Sequence, residues 1–238
     1  CRPAASIHGG AATFCASLSD GQVRCWGSGD NGQIGNGESV NVNTPALVVG
    51  ARGATSVAVG SLHGCAIMPD ATVRCWGDNS LGQLGSGDFT ARTVPGVVEG
   101  LGRVQGLCVG TGHSCARDDR GRVWCWGNNS AGQLGDGTEV PRTRPTLVPL
   151  PPAADIACAT SSTCASLRDG RVSCWGTNVD GQLGMGTVDG NAHRFPERVS
   201  GLGEVVQVEG GDGFFCARRA AGGVWCWGRA DAGQLGGP

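Results

Sequence analysis

The sequence contains neither lysine nor tyrosine among its 238 residues, so all 18 basic side chains are arginines. The absence of lysine excludes Schiff-base and lysine-nucleophile chemistry. The 20 acidic residues bring the formal net charge to −2. That balance gives no electrostatic footprint for nucleic acid or for an anionic membrane. We therefore expect neither as a partner.

Long apolar runs and helical periodicity are missing as well. No run approaches the roughly 20 apolar residues that span a bilayer, and no window of about ten residues has apolar side chains at helical spacing. The chain shows no signal peptide and begins at Cys1 rather than Met, which indicates a processed form. Three roles stay open for Cys1: the lipid-anchored first residue of a bacterial lipoprotein, a free thiol, or a partner for another chain.

Glycine is abundant instead, with 44 residues, beside 11 prolines and no collagen-like three-residue period. Glycine at this density suits many tight turns with positive φ rather than long helices. Asp-Gly pairs between alternating segments, at Asp20 and Asp169, are hairpin signals. The composition therefore favours an all-β chain.

One unit recurs five times along the chain. Each copy ends in Cys-Trp-Gly and, after a short variable link, Gly-Gln-Leu-Gly or Gly-Gln-Ile-Gly. The tryptophans of this motif are separated by 50, 50, 49 and 52 residues. Such a period is typical of blades or solenoid units, and four short strands with Gly-rich turns make up a propeller blade. The sequence predicts a single β-propeller domain over residues 1–238, with about five blades of four antiparallel strands.

The unit boundaries fall near residues 10–59, 60–109, 110–158, 159–210 and 211–238. With these boundaries the last unit has no innermost strand of its own. Residues 6–10 resemble residues 207–211, so we predict that residues 1–9 complete the fifth blade and close the ring. Without closure the protein would expose two sheet edges, which is an aggregation liability.

Cysteines recur in pairs ten positions apart. An odd-length turn between them places the two directly opposite each other across a hairpin, at a Cα distance of ~4.5–5.5 Å that a disulfide can bridge. The alternative is zinc binding, but the close Cys-x2-4-Cys spacing of zinc sites is missing. We predict disulfides, and hence an oxidising compartment, for Cys15–Cys25, Cys65–Cys75, Cys115–Cys125, Cys164–Cys174 and Cys216–Cys226. Cys108 and Cys158, on the innermost strands of adjacent units, are predicted to form a bridge between blades.

The third unit shows the repeat best, in His113-Ser114, Gly121, Val123, Trp126-Gly127, Asn129 and Gly132 to Gly135. This pattern resembles the repeat of the regulator of chromosome condensation family, in a bacterial secreted or lipoprotein-like form. The resemblance covers essentially the whole chain and implies a β-propeller of ~50-residue units. Family members commonly have about seven repeats, whereas this chain shows five. The resemblance implies no particular function, because propeller scaffolds serve many.

The recurring Trp and His residues invite functional interpretations. The tryptophans recur at one fixed position, which core packing between blades demands. Trp124 and Trp225 are extra and occur in two units only. His63 and His113 share one repeat position without a nearby carboxylate or nucleophile at a recognisable spacing, so structural roles are favoured. Enzyme motifs are otherwise missing, and we expect no catalytic residue, no metal and no cofactor.

Strand alternation places the links after the innermost strands and the links between Trp-Gly and Gly-Gln on one face of the disc. Some positions on this face vary from blade to blade. We predict that a protein or surface ligand binds at this ring, because a few aromatic anchors often dominate an interface. The alternative is that Phe14 and Phe215 pack inward beside the disulfides. The candidate residues are Thr13, Phe14, Leu62, His63, His113, Ser162, Phe214 and Phe215.

These features favour a non-catalytic, extracellular or cell-envelope interaction scaffold. One alternative is a proteinaceous inhibitor of an extracellular enzyme, which the resemblance suggests through the family's β-lactamase inhibitors. A less favoured alternative is an enzyme with a site at the channel mouth. The nucleotide-exchange activity of the founding family member fits poorly, because its partner and chromatin are nuclear whereas this chain looks oxidised and lacks a basic tail.

Overall fold

The computed structural model describes residues 3–236, and its regular elements are 19 β-strands in five antiparallel sheets. Each sheet is one blade of a propeller. Within the described range, no helix is long and apolar enough to cross a membrane. The all-β fold and the five blades predicted from the repeat are confirmed.

The strands follow each other from the innermost to the outermost position of each blade. The first blade contains β1 (Ala4–Gly9), β2 (Thr13–Leu18), β3 (Val23–Gly27) and β4 (Val42–Leu47). The second contains β5 (Ser56–Val59), β6 (His63–Ile67), β7 (Val73–Gly77) and β8 (Arg92–Val98). The third contains β9 (Val104–Val109), β10 (His113–Asp118), β11 (Val123–Gly127) and β12 (Arg142–Leu147). The fourth contains β13 (Ala153–Cys158), β14 (Ser162–Leu167), β15 (Val172–Asn178) and β16 (Asp189–Arg198). The fifth shows three strands within residues 3–236: β17 (Val205–Gly210), β18 (Phe214–Arg219) and β19 (Val224–Gly228).

The prediction that residues 1–9 complete the fifth blade is wrong. Strand β1 pairs with β2, its neighbour in sequence, and His8 lies opposite Cys15. The innermost place of the fifth blade is already filled by β17, where Glu209 lies opposite Cys216. Pairing with an adjacent strand closes only a short loop, which costs less entropy than joining the two chain ends. Residues 6–10 and 207–211 are alike because they occupy equivalent strands of different blades.

All five hairpin disulfides are present. Each joins directly opposed residues of the second and third strands, with Cα–Cα distances of 4.0–4.1 Å. A sixth disulfide joins Cys108 of β9 to Cys158 of β13 and links the third and fourth blades, as predicted. Cys1 lies outside the described residues. The sulfur of Cys115 lies within 4.8 Å of those of Cys108 and Cys158, but all three sulfurs are in disulfides and are not free to bind a metal.

Adjacent blades are joined by the repeated tryptophan. The indole N–H of Trp126 donates to the carbonyl of Gln83 in the preceding blade at 2.9 Å, and Leu84 beside it is buried. The same bond recurs at the other boundaries, from Trp76 to Gln33, Trp175 to Gln133 and Trp227 to Gln182, each at 2.9 Å. The structural role predicted for these tryptophans is confirmed at four boundaries.

Two structural constraints, a positive φ and a closely packed tryptophan, require glycine at the last position of Gly-Gln-Leu-Gly. Gly135 has φ +68°, and a Cβ there would lie 2.8 Å from the indole of Trp175. Gly236 occupies the same place in the fifth blade, but no atom of the described residues beyond its chain neighbours lies within 4 Å of its Cβ position. Trp26, at the corresponding place in the first blade, is partly exposed. Among residues 3–236, the tryptophan contact that joins the other neighbours is therefore missing between the fifth and first blades.

Candidate binding face

Two kinds of link meet on one side of the disc, which we call the link face. It consists of the turns after the innermost strands and the links between Cys-Trp-Gly and Gly-Gln. One backbone bond recurs between them, for example from the N–H of Asn128 to the carbonyl of Gly112 at 2.8 Å. The opposite side, the turn face, carries the Asp-Gly turns and the loops between blades, where the N–H of Gly53 donates to Gly21. These bonds agree with the placement of the two sets of links on one face, but Arg92 and Arg142, which we expected on the opposite face, lie opposite Gly77 and Gly127 at the link end of the third strands.

Most of the candidate ring residues do not reach the surface of the link face. Five of the eight predicted residues are buried between or within blades: Thr13, His63, His113, Ser162 and Phe215. The second strand of each blade packs against the next blade there, so these positions vary with the boundary they fill. Burial rather than exposure of Phe215 agrees with the inward-packing alternative, while Phe14 is 43% exposed and stacks on Trp26 with ring centroids 6.1 Å apart.

His63 and Ser114 form a pair that superficially resembles a catalytic dyad. His63 Nε2 and Ser114 Oγ are 2.7 Å apart, and Ser114 Oγ donates to the carbonyl of Gln83 at 3.0 Å. Both side chains are wholly buried, and in the described part of the chain His63 Nδ1 has no hydrogen-bond partner that could orient the ring. Burial lowers the pKa of His63 to about 3. A substrate cannot reach this pair, which therefore serves as a polar clamp between the second and third blades.

The same clamp recurs at the next boundary. His113 Nε2 lies 2.9 Å from Thr163 Oγ1, which donates to the carbonyl of Gln133. Burial lowers the pKa of His113 to about 4. At the boundary between the fourth and fifth blades the equivalent pair is Ser162 and Phe215. Here the large side chain belongs to the later blade, whereas at the two preceding boundaries it belongs to the earlier blade. The structural interpretation of the two histidines is confirmed by their burial and partners.

The exposed apolar residues of the link face are different ones. Phe14 is exposed, and Leu62 and Phe214 are partly exposed. Sequence reasoning missed Leu81, which is 37% exposed, and Val179, which is 53% exposed. Leu81 directly precedes a Gly-Gln pair and Val179 lies two residues before one, at link positions whose residue varies between repeats. That variability was the available signal.

The two faces also differ in charge. The ionisable residues in the links of the link face are Asp30, Asp78, Asp180, Asp212, Asp231 and Arg229, giving five carboxylates against one guanidinium. Arg229 is itself paired with Asp212 at 3.0 Å and Asp231 at 2.7 Å. In the turns and loops of the turn face, six arginines balance six acidic residues. The link face is therefore the acidic side of an otherwise nearly neutral molecule.

A cavity of about 540 Å³ opens at the centre of the link face and is lined by all five blades. Its polar side chains lie in the turns after the innermost strands: Ser61 Oγ and Thr111 Oγ1 are 3.3 Å apart, and Thr160 Oγ1 donates to Asp212 at 2.7 Å. The rest of the lining is mainly glycine and short side chains. Such a mouth offers hydroxyl, carbonyl and carboxylate groups for hydrogen bonding.

Deeper in the channel lie His8, Asp155 and Glu209, beside a second cavity of about 480 Å³. Burial raises the pKa of Asp155, whose Oδ2 accepts the N–H of Val208 at 3.1 Å. Burial also lowers the pKa of His8, against the opposing influence of Glu209. Both cavities present hydrogen-bonding groups to solvent, so this arrangement is suited to binding.

Comparison with known proteins supports the sequence resemblance. A family model described as the regulator of chromosome condensation (RCC1) repeat matches residues 20–67, 70–117, 120–166 and 169–218. A second model of the same repeat matches residues 5–33, 54–83, 104–133, 153–182 and 205–234. The second set starts each unit at an innermost strand, as the blades do. No curated protein sequence matches the chain.

Solved structures share the fold at low identity. Human WBSCR16 superposes with a TM-score of 0.84 and 22% identity, over 95% of this chain and 62% of that one. Prp20p from Saccharomyces cerevisiae gives 0.84 and 21%, over 100% and 61%. The CRINKLY WD40 ectodomain of the Arabidopsis thaliana receptor kinase ACR4 gives 0.57 and 19%, over 95% and 64%. The chain thus spans about three fifths of the length of these structures.

Proposed function

The chain belongs to the regulator of chromosome condensation (RCC1) repeat family, and we propose that it is a non-catalytic recognition scaffold. In this proposal its acidic link face binds a basic protein surface in an extracellular or cell-envelope compartment. The observation that carries the proposal is the excess of five carboxylates over one arginine on that face. Complementary charge accelerates encounter and selects partners.

Exposed apolar side chains among the carboxylates supply candidate anchors. Leu81 and Val179 are exposed in the links of the link face, and Phe14 is exposed near the start of β2; a few such residues often contribute most of the binding energy. A basic partner with an apolar patch would contact both kinds of group. Prp20p is described as binding Gsp1p and histones, so a propeller of this fold can serve protein recognition.

The oxidised cysteines support the proposed compartment. Six disulfides in 238 residues are typical of proteins outside the reducing cytosol. The ACR4 structure is that of a receptor ectodomain, so the fold is compatible with an extracellular location. The burial of His63 and His113, which places both imidazoles out of reach of a substrate, supports the non-catalytic part of the proposal.

The electrostatic part can be tested with an octa-arginine peptide as a basic probe, and octaglutamate as its negative control. We expect saturable binding that weakens steeply with salt, and at least threefold weaker binding for the double variant Asp30→Asn, Asp180→Asn. The matched control is Asp119→Asn, Glu204→Gln on the turn face, which should bind like the parent. Equal weakening in both double variants, or binding insensitive to salt, would contradict the use of the link face.

The anchors are tested with a captured basic partner. Replacing Phe14 by Ala should weaken that complex by on the order of 1–3 kcal/mol if Phe14 is a central contact. His63→Gln, in contrast, should act only through stability because His63 is buried. Inhibition of an extracellular hydrolase without such capture would favour the inhibitor alternative.

A further inference from the structure

Three cysteines of the third blade lie side by side across three neighbouring strands. Cys115 of β10 is directly opposite Cys125 of β11 on one side and directly opposite Cys108 of β9 on the other. Directly opposed residues point to the same side of a sheet, so the side chain of Cys115 has a cysteine on each flank. In the other blades the place of Cys108 is taken by different residues, namely His8, Ala58, Ala157 and Glu209.

This row of cysteines meets a fourth one at the boundary with the next blade. Cys108 is bonded to Cys158 of β13, and Cys115 is bonded to Cys125. The sulfurs of Cys108, Cys115 and Cys158 all lie within 4.8 Å of one another, in the core between the third and fourth blades. Two disulfides that share no cysteine therefore lie next to each other.

Only one of these two disulfides borders the channel. Cys108 and Cys158 are each 9% exposed, whereas Cys115 and Cys125 are 0% exposed. Cys108 and Cys158 line the deeper cavity of about 480 Å³, and Cys158 also lines the cavity of about 540 Å³ that opens on the link face. A small thiol that enters from the link face therefore reaches Cys158 first.

The row of cysteines allows a second pattern of bridges. The Cα atoms of Cys115 and Cys125 are 4.1 Å apart, which identifies a non-hydrogen-bonded pair. The backbone N–H and C=O of Cys115 then point to β9, so Cys115 and Cys108 form a hydrogen-bonded pair with a Cα distance of ~5.5 Å. Disulfides span Cα distances of ~4.4–6.8 Å. Cys108 can thus replace Cys125 as the partner of Cys115 without a change of strand register.

We propose that Cys158 is a site of S-thiolation by low-molecular-weight thiols, and that the neighbouring hairpin disulfide stabilises the adduct by exchange. First, the thiolate of the small molecule attacks Sγ of Cys158 and forms a bond to it, while the Cys108–Cys158 bond breaks and its electron pair stays on Sγ of Cys108. Next, the Cys108 thiolate attacks Sγ of Cys115 and forms a bond to it, while the Cys115–Cys125 bond breaks. Cys125 keeps that electron pair and takes up the proton that the small thiol released. Two disulfides and one thiol are present before and after, so neither an oxidant nor a reductant is consumed.

The third cysteine of the row makes the adduct persist. At a lone disulfide, the released cysteine attacks the mixed disulfide and expels the small thiol again. Here Cys108 is consumed by its bond to Cys115, and the free thiol moves to the buried Cys125. Cys108 and Cys125 flank Cys115 on opposite sides, so the leaving sulfur departs away from the attacking one. The site is independent of the recognition function proposed above and goes beyond it.

The exchange has a distinct signature in a tryptic digest. Cys108 and Cys115 lie in one fragment, residues 104–117, whereas Cys125 lies in another, residues 123–142. The full chain is incubated with cysteamine, quenched with acid, alkylated under denaturing conditions and digested. We expect residues 104–117 to be released as an internally bridged fragment. Cysteamine on Cys158 and an alkyl group on Cys125 should appear in the same amount.

A double variant tests the role of the hairpin disulfide. In Cys115→Ser, Cys125→Ser the released Cys108 has no second disulfide to attack and can only return to Cys158. The amount of cysteamine on Cys158 should therefore fall at least about fivefold. The fragment analysis of the parent protein needs no variant, so the test stays valid if this variant misfolds.

The matched control removes the equivalent disulfide of the second blade. Cys65 and Cys75 form the same hairpin bridge with the same sequence separation of 10, but Ala58 stands opposite Cys65 where the third blade has a cysteine. The double variant Cys65→Ser, Cys75→Ser should therefore take up cysteamine on Cys158 like the parent protein.

Three results would overturn the proposal. One is the absence of cysteamine on Cys158 at the highest concentration at which the protein stays folded. Another is cysteamine on Cys158 together with a free Cys108 and an intact Cys115–Cys125 bond, because the exchange step would then not occur. The last is equal thiolation of Cys158 in the two double variants.

Discussion

Nε2 of His63 lies 2.7 Å from Oγ of Ser114 across the boundary between the second and third blades, and both side chains are buried. His113 and Thr163 form the same contact across the next boundary, at 2.9 Å. Each hydroxyl also donates to the carbonyl that the inter-blade tryptophan uses. Two blade boundaries thus depend on neutral imidazole rings.

These rings predict that the protein loses stability in acid. Burial lowers the pKa of His63 to about 3 and that of His113 to about 4, while the unfolded chain titrates near 6.5. Unfolding then takes up protons below pH 6.5, so the free energy of unfolding should fall as the pH decreases from about 6.5 to 4. Denaturant titrations across this range measure the effect. In the double variant His63→Gln, His113→Gln the free energy of unfolding should depend less steeply on pH. An unchanged dependence would contradict the role of the two buried histidines.

Replacing Gly135 and Gly236 by Ala in separate variants measures how much stability is lost when a Cβ overlaps the inter-blade tryptophan. Both have positive φ, so replacement by Ala should cost each about 1–2 kcal/mol through backbone strain. Only the Cβ at position 135 would also overlap a tryptophan, which should add ~1–3 kcal/mol. Thermal melts of the two variants test this difference. Equal losses would mean that the tryptophan contact does not determine the choice of glycine.

The hairpin disulfides should differ in their rate of reduction. Cys115–Cys125 and Cys216–Cys226 have the same sequence separation of 10, but the first pair is completely buried and the second is partly exposed. Because thiol–disulfide exchange requires access to sulfur, a mild dithiol should open Cys216–Cys226 first. Timed alkylation and peptide mapping follow the order. Reduction of the buried pair first would contradict this structural explanation.

His193 predicts a pH response of opposite sign. It lies opposite Gly176 at the place where Arg92 and Arg142 lie in other blades, and it hydrogen-bonds Glu197 at 2.6 Å and Asp189 at 3.0 Å. Partial burial lowers its pKa, but the two carboxylates outweigh burial and the net shift is upward. Its stabilisation is therefore present at low pH and is lost as the pH rises through the raised pKa.

The variant His193→Arg isolates this contribution, because arginine keeps its charge and occupies this position in two other blades. Hydrogen exchange of β16 should increase with pH in the parent beyond the normal intrinsic dependence, and this excess should disappear in the variant. His8→Gln, in the channel, is the control and should keep the excess. If both variants keep it, His193 does not hold the outer strand.

The repeat predicted the parts of this structure that depend on local pattern. Cysteines ten positions apart lie opposite each other across a hairpin with an odd-length turn, so the five pairs followed from spacing, and Cys108 and Cys158 followed from equivalent strands. The place of β1 did not follow, because a periodic sequence fixes the length of a unit but not where its first strand begins. Pairing with β2 decided that point.

The binding surface was harder to predict than the blades. His63 and Phe14 both vary between repeats, yet one is buried at a blade boundary and the other is exposed. Variation at a repeat position arises from a surface contact or from a boundary that differs from its neighbours, and sequence alone does not separate these. The acidic residues of the link face are spread over distant units, and their common charge could have been read from the links that strand alternation places on one side.

The side-chain pairs at the blade boundaries restrict the order in which the blades can follow each other. The second-to-third boundary combines His63 with Ser114, the third-to-fourth combines His113 with Thr163, and the fourth-to-fifth combines Ser162 with Phe215. Exchanging the fourth and fifth blades would bring Phe215 against His113, two large rings where one fits. The blades are therefore not interchangeable modules despite their common sequence. Recombination between repeats would be selected against wherever it joined two large side chains.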